Sequence, residues 1–241
     1  MAQTNRDNCI LEIKDLTVCY GAIVALQKIN LDIQQGEIII LIGANGSGKS
    51  TLLKTIIGIE KPNEGHIVYQ GNDITFWNPE HITQCGIFLI PEDGGVFKTL
   101  TVEENLQLGA YHFYSKYQKQ LDFVINLFPL LKNRFKQIAG TLSGGEQRIL
   151  AFGKTLMSDI RILMFDEPSM GLSPKYISQI FETIQVLKNY SYTILLSEQN
   201  VIQAYKYADR IYLLENGQIV LQGYASDLNN HPRIKEAYLG G

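Results

Sequence analysis

Gly43-Ala44-Asn45-Gly46-Ser47-Gly48-Lys49-Ser50-Thr51 is the stretch that decides the fold. It fits the pattern G-x-x-x-x-G-K-[ST], a loop whose backbone N–H groups wrap a phosphate. Its setting is strand, loop, helix. Glu37 to Ile42 is a short β-branched run that reads as a buried strand, and Leu52 to Ile57 reads as helix, ended by Gly58. A helix N-terminus at that point adds positive potential to the loop. Lys49 then reaches the β- and γ-phosphates of a nucleotide, and Ser50 offers its hydroxyl to magnesium. Without that strand and helix, the same letters would be a glycine-rich turn with a surface lysine.

At 241 residues the chain is long enough to bury a substantial core without disulfide or metal staples. Its formal net charge of −3 and the lack of a basic run point away from nucleic acid as the main partner. Cys9, Cys19 and Cys85 stand apart with no C-x-x-C spacing, which suits a reducing cytoplasm. His66, His81, His112 and His231 have no metal-ligand spacing. Met1 to Asn8 is polar with no apolar h-region, so no signal peptide is expected. No apolar run approaches a membrane span. The expected location is cytoplasmic, and any work at a membrane needs other subunits to hold the chain there.

Ile10 to Val18, Ile29 to Ile33 and Gly65 to Gln70 alternate and predict an antiparallel layer beside the main sheet. Ile87 to Ile90, Arg161 to Pro168 and Thr193 to Leu196 read as buried strands. From about residue 100 to 159 the pattern is helical, with an N-terminus at Thr101, an amphipathic helix from Leu121 to Leu131 interrupted at Pro129, and an aromatic cluster of Tyr111, Phe113, Tyr114 and Tyr117. Tyr176 to Asn189 and Val201 to Ala208 are further helices, and Glu215-Asn216-Gly217 between two apolar runs predicts a hairpin. The pattern predicts an α/β fold with a mostly parallel sheet, an N-terminal antiparallel β layer and a helical insertion within a single domain.

Two more motifs carry chemistry. Asp166-Glu167 closes a buried strand at its C-terminal end, where α/β sheets present functional groups. One acid can organise magnesium and the other can orient or deprotonate an attacking water; Asp166 fits the first role and Glu167 the second. Leu142-Ser143-Gly144-Gly145-Glu146-Gln147 is a helix start, with Ser143 and Glu146 at capping-box spacing. Two glycines in a first turn weaken a helix by roughly 1 kcal/mol each relative to Ala. Close approach of an anion to their N–H groups would explain them.

These three motifs, in this order, resemble the ATP-binding subunits of ABC transporters, and the resemblance spans essentially the whole chain. It implies a P-loop NTPase core, ATP with Mg2+, and two such subunits, a heterodimer or a homodimer, meeting head to tail. Ser143, Gly144, Gly145, Glu146 and Gln147 would then serve the partner's ATP. Tyr20 lies where the family stacks an aromatic on adenine. Pro91-Glu92-Asp93, Leu100 to Leu106, Ser169 to Pro174 and Ser197 to Asn200 look most like the second ATPase subunit of branched-chain amino-acid importers, with a sister branch in urea import. That resemblance implies integral membrane permease subunits, a solute-binding protein and a place on the cytoplasmic face of the cell membrane. The segment from Glu92 to Phe97, with the aromatic cluster, would receive a short permease helix. Rival readings are lipid or lipopolysaccharide transport, a non-transport ABC protein acting on DNA or the ribosome, and a weakly hydrolysing regulatory subunit.

Three positions depart from the general family pattern, which has glutamine at Glu92, aspartate at Ser173 and histidine at Gln199. Gln199 still offers an amide donor to the γ-phosphate but cannot become cationic. Glu92 can approach magnesium through water. Ser173 removes a carboxylate that usually spans the dimer interface. The two ATP sites of the complex are therefore expected to differ in strength.

Overall fold

The computed structural model describes residues 8–199, 205–228 and 231–234, apart from the side chains of 113 and 114. At its centre is β3 (Ile38–Ile42), buried at every position. Ile38, Ile40 and Ile42 face one core cluster while Ile39 and Leu41 face another. A strand covered on both faces gains from an unbroken apolar run, which is why this one lacks polar alternation. β6 (Ile87–Ile90), β7 (Ile162–Asp166), β8 (Thr193–Glu198) and β9 (Arg210–Glu215) are parallel to it, in the order β9-β3-β8-β7-β6. β10 (Gln218–Tyr224) returns antiparallel at the edge. Its turn holds Asn216 at φ +47° and Gly217 at φ +75°, the positive-φ pair that a two-residue hairpin requires.

The antiparallel layer is present. β1 (Cys9–Tyr20), β2 (Ile23–Gln34), β4 (Glu64–Tyr69) and β5 (Asn72–Asp73) form a second sheet in the order β2-β1-β4-β5. β2 begins earlier than the alternation at Ile29 suggests, because Ile23 and Val24 are exposed and leave no buried-face pattern to read. A charged clamp joins the two sheets. Arg210 of β9 places Nη1 and Nη2 each 2.9 Å from an Asp32 carboxylate oxygen on β2, and Nη1 lies 3.2 Å from Glu37. Burial, the largest single effect, works against the Asp32 charge, but hydrogen bonds from Arg210, Gln34 and Tyr212 together with the Arg210 charge hold the carboxyl below its usual range. Glu37 goes the other way, pushed up by burial.

α3 (Val102–Gly109), α4 (Tyr117–Leu127), α5 (Pro129–Asn133) and α6 (Gly144–Leu156) make up the helical stretch, with 3₁₀ turns before α4 and α6. The expected helix from Leu121 to Leu131 is two helices. Pro129 has no N–H to give and stands in the first turn of α5. Val102, Leu106, Val124, Leu131 and Phe152 share one core cluster with Ile40 and Phe165, so these helices pack on one face of the sheet. The rings of Phe152 and Phe165 stack at 4.6 Å. Tyr111 is exposed and Tyr117 packs against the core. Residues 201–204 of the expected Val201 to Ala208 helix lie outside the described residues. No helix among the described residues is long and apolar enough to cross a membrane.

Candidate nucleotide-binding site

α1 (Lys49–Ile56) starts directly after the glycine loop. Gly48 precedes it with φ +108°, a conformation that side-chain-bearing residues rarely adopt. A Cβ there would also lie 2.7 Å from Leu26 Cδ2 and 2.9 Å from the Ala25 carbonyl. No side chain caps α1 and no acid stands in its first turn, so its leading N–H groups are left for an anion. Inside the loop, Ser47 Oγ is buried with no hydrogen-bond partner among the described residues. Asn45, Gly46, Gly48, Lys49, Ser50 and Thr51 all line one cleft of about 590 Å³.

Lys49 is only 3% exposed. Its ammonium donates to the carbonyls of Gly43 at 2.7 Å and Ala44 at 3.1 Å, and lies 3.1 Å from Glu167 Oε1. A buried cation demands such partners, because an unpaired charge out of water is strongly unfavourable. Two hydroxyls converge on one Asp166 oxygen: Ser50 Oγ donates at 2.9 Å and Ser197 Oγ at 2.8 Å. Ser197 is the residue that sequence reasoning missed. Its Oγ and its carbonyl also accept from the Glu167 N–H, at 3.0 and 3.2 Å. These bonds hold Glu167 at φ +46°, a left-handed conformation that costs a non-glycine residue about 1–3 kcal/mol. In the sequence it stood only as a hydroxyl closing the apolar run Thr193 to Leu196 and as the first letter of the Ser197 to Asn200 stretch, with no role assigned.

Tyr20 and Glu92 line the same cleft as Lys49 and Glu167, alongside Val24 and Met170. Gln199 does not line it; its side chain is exposed, just beyond β8. Ser173 is exposed at the start of α7 (Pro174–Asn189) and makes no side-chain cap bond. Ser143 to Gln147 also stand outside the cleft, at the start of α6. The expected capping box is formed there: Ser143 N–H donates to Glu146 at 2.9 Å, and Ser143 Oγ accepts from the Glu146 N–H at 3.4 Å. Gln147 folds back to the Leu142 carbonyl at 2.9 Å.

The two glycines of that turn have different reasons. A Cβ on Gly145 would fall within 2.6 Å of three ring carbons of Tyr176, so packing alone requires glycine there. A Cβ on Gly144 would meet nothing within 4 Å. Only Gly144 is left for an anion to explain.

The residues present fit a nucleotide triphosphate with magnesium. Ser50 and Asp166 offer oxygen atoms of the hard kind that magnesium takes, and such an ion ordinarily completes its shell with phosphates and water. Among the described residues no group of three or more His, Cys, Asp or Glu is placed to hold a metal ion.

The model of the ABC transporter family matches residues 26–170, and the chain belongs to this family as an ATP-binding protein. The match takes in the loop at Gly43, the signature at Ser143 and the acids at Asp166. The chain is 47% identical over 234 residues to the high-affinity branched-chain amino acid transport ATP-binding protein BraG of Pseudomonas aeruginosa, covering 96% of this chain and 100% of that protein. It is 38% identical to the probable branched-chain amino acid transport ATP-binding protein LivF of Archaeoglobus fulgidus, over 96% and 99% of the two chains. The fold matches the ADP conformation of MJ1267, an ATP-binding cassette of an ABC transporter, with a TM-score of 0.85, 28% identity and coverage of 97% and 99%.

Proposed function

We propose that this chain hydrolyses ATP to drive uptake of branched-chain or other hydrophobic amino acids through separate membrane permease subunits, with a second ATP-binding subunit as its partner. The observation that carries the reading is the assembly of Lys49, Ser50 and Glu167 at one cleft, with Asp166 hydrogen-bonded to Ser50, on a chain 47% identical to a branched-chain amino acid transport protein along nearly its whole length.

In this reading the triphosphate enters over Gly43 to Thr51 and takes Lys49 as its counter-ion, with adenine against Tyr20. Ser50 and Asp166, with Glu92 nearby, would hold magnesium, which when bound would supply positive charge to offset that of the phosphates. Displaced from Lys49 by the phosphate, Glu167 is free to aim a water at the γ-phosphorus and accept its proton. Its left-handed backbone and the Ser197 bonds fix the direction in which the carboxylate points. Ser143 to Gly145 close on the ATP of the partner subunit. Gln199 would donate to the γ-phosphate only after turning inward.

A small apolar cleft of about 250 Å³, lined by Phe88, Phe97, Leu108 and Lys154, supports a permease helix docking between the sheet and the helical stretch. Its rim includes exposed Phe97. The solute itself never touches this chain, and the solute-binding protein is an indirect partner. The subunit would therefore sit on the cytoplasmic face of the membrane, held by the permease.

The test is uptake by proteoliposomes containing the permease, this chain and its partner ATPase, supplied with the solute-binding protein. ATP-dependent accumulation of labelled leucine, isoleucine or valine, abolished by Lys49→Ala, is the expected result. Uptake of urea alone, or extraction of lipopolysaccharide, would transfer the assignment to those substrates.

A further inference from the structure

Arg148 directly follows the signature, on α6, and is buried to 8% exposure. Neither the glycine loop nor the acid pair uses it. Its Nη1 donates to the Pro91 carbonyl at 3.2 Å, on the loop that carries Glu92 into the nucleotide cleft. Burial pulls the guanidinium below its usual pKa, while the carboxylates of Glu92, Asp93 and Glu198 act in the other direction. The same α6 supports this loop again further along, where Lys154 Nζ donates to the Gly95 carbonyl and lies 4.9 Å from the Phe97 ring centroid.

Glu198 leads to the far side of the site. Buried at the end of β8, it accepts from Ser169 N–H at 3.1 Å and from Ser169 Oγ at 2.9 Å, in the turn just after Glu167. Arg148 is therefore held to the Glu92 loop through the Pro91 carbonyl, with the negative charges of Glu92, Asp93 and Glu198 all acting on it. A guanidinium can serve several acceptors at once through its planar fork of donors. A neutral side chain there would leave buried Glu198 with less compensation and would remove an attraction that draws exposed Glu92 and Asp93 towards α6.

We propose that Arg148 is a positioning residue that offsets the charge of Glu92 and ties the signature helix to the loop that carries Glu92 into the ATP site. It rests on the ATPase reading above. Through the Pro91 carbonyl it sets the loop that carries Glu92 over the phosphates. Movement of the signature helix against a partner's nucleotide is thereby felt at this chain's own site.

The experiment compares Arg148→Gln, Arg148→Lys, Glu92→Gln and the double variant Arg148→Gln/Glu92→Gln in two assays. In the isolated chain, hydrogen exchange of residues 91–97 should accelerate at least tenfold in Arg148→Gln and return towards wild type in the double variant. In the assembled transporter, Arg148→Gln should lower kcat for ATP at least tenfold with KM changed less than twofold. Arg148→Lys should restore part of that loss. The double variant should exceed the product of the two single effects, the signature of coupled charges. Unchanged exchange at 91–97 in Arg148→Gln would overturn the proposal, as would a double variant with merely multiplied losses. Absence of ATPase in the wild-type complex would instead remove the functional reading, and the exchange measurement would still decide the role of Arg148.

Discussion

Alanine at Gly144 and alanine at Gly145 should separate folding from function within one helical turn. At Gly145 the new Cβ would meet three ring carbons of Tyr176 within 2.6 Å, so either the ring or the start of α6 must shift. Such overpacking typically costs about 1–3 kcal/mol. For a chain of this size that lowers Tm by roughly 2–4 °C per kcal/mol. At Gly144 the Cβ would point into open space, and a helical glycine replaced by alanine gains up to about 1 kcal/mol. Gly144→Ala should therefore melt at the same temperature as wild type or slightly higher. Its ATPase, measured in the assembled transporter, should nevertheless fall at least tenfold, because the added methyl blocks close approach of the partner's phosphates to the first-turn N–H groups. Differential scanning fluorimetry on the isolated chain and phosphate release from the complex supply the two readouts. Full ATPase in Gly144→Ala would refute the reasoning, since nothing in this chain's own packing explains that glycine.

Asp32→Ala should lower stability by about 1–3 kcal/mol, a range reduced from that of a fully buried pair because the Asp32 side chain is 40% exposed. Asp32 is held below its usual pKa, so its contribution is present above the unfolded value and is lost as pH falls through the folded one; urea melts from pH 7 to 3 should show that loss in wild type and much less of it in Asp32→Ala. Glu37, pushed up by burial, partly offsets the trend, since its protonation on acidification favours the folded chain. Ser197→Ala removes the hydroxyl that joins Asp166 to the Glu167 N–H, and should destabilise by about 1–3 kcal/mol while reducing kcat more than ATP affinity, measured by single-turnover hydrolysis and nucleotide titration. Gln199→His should introduce an ionisation near neutral pH into the pH–rate profile; an unchanged profile would remove Gln199 from the site.

Much of this fold was legible because periodicity and punctuation agreed. The unbroken apolar runs at Ile38 and Ile162 are what strands buried on both faces require, and Asn216-Gly217 fixes its hairpin by φ alone. The capping box at Ser143 is local chemistry and formed as written. Residues acting across the sheet were not legible. Ser197 joins Asp166 and Glu167 only because β8 lies beside β7, a neighbour relation that no local motif encodes. Arg148 reads as an ordinary polar helix residue until Pro91 is seen against it. Gly145 invited a ligand explanation because its true neighbour, Tyr176, is distant in sequence. The departures at Ser173 and Gln199 were visible as letters, but their exposed positions follow from loops beyond the strand ends.

The claim that Glu167 activates water at a site whose phosphates are held by Lys49 is tested most directly by Glu167→Gln in the purified transporter complex, with ATP binding and ATP hydrolysis measured on the same sample. The substitution keeps the shape and removes the proton acceptor. The expected result is ATP affinity within a fewfold of wild type together with a loss of about 100-fold or more in kcat, the scale of a missing general base. Hydrolysis by Glu167→Gln at the wild-type rate would contradict it.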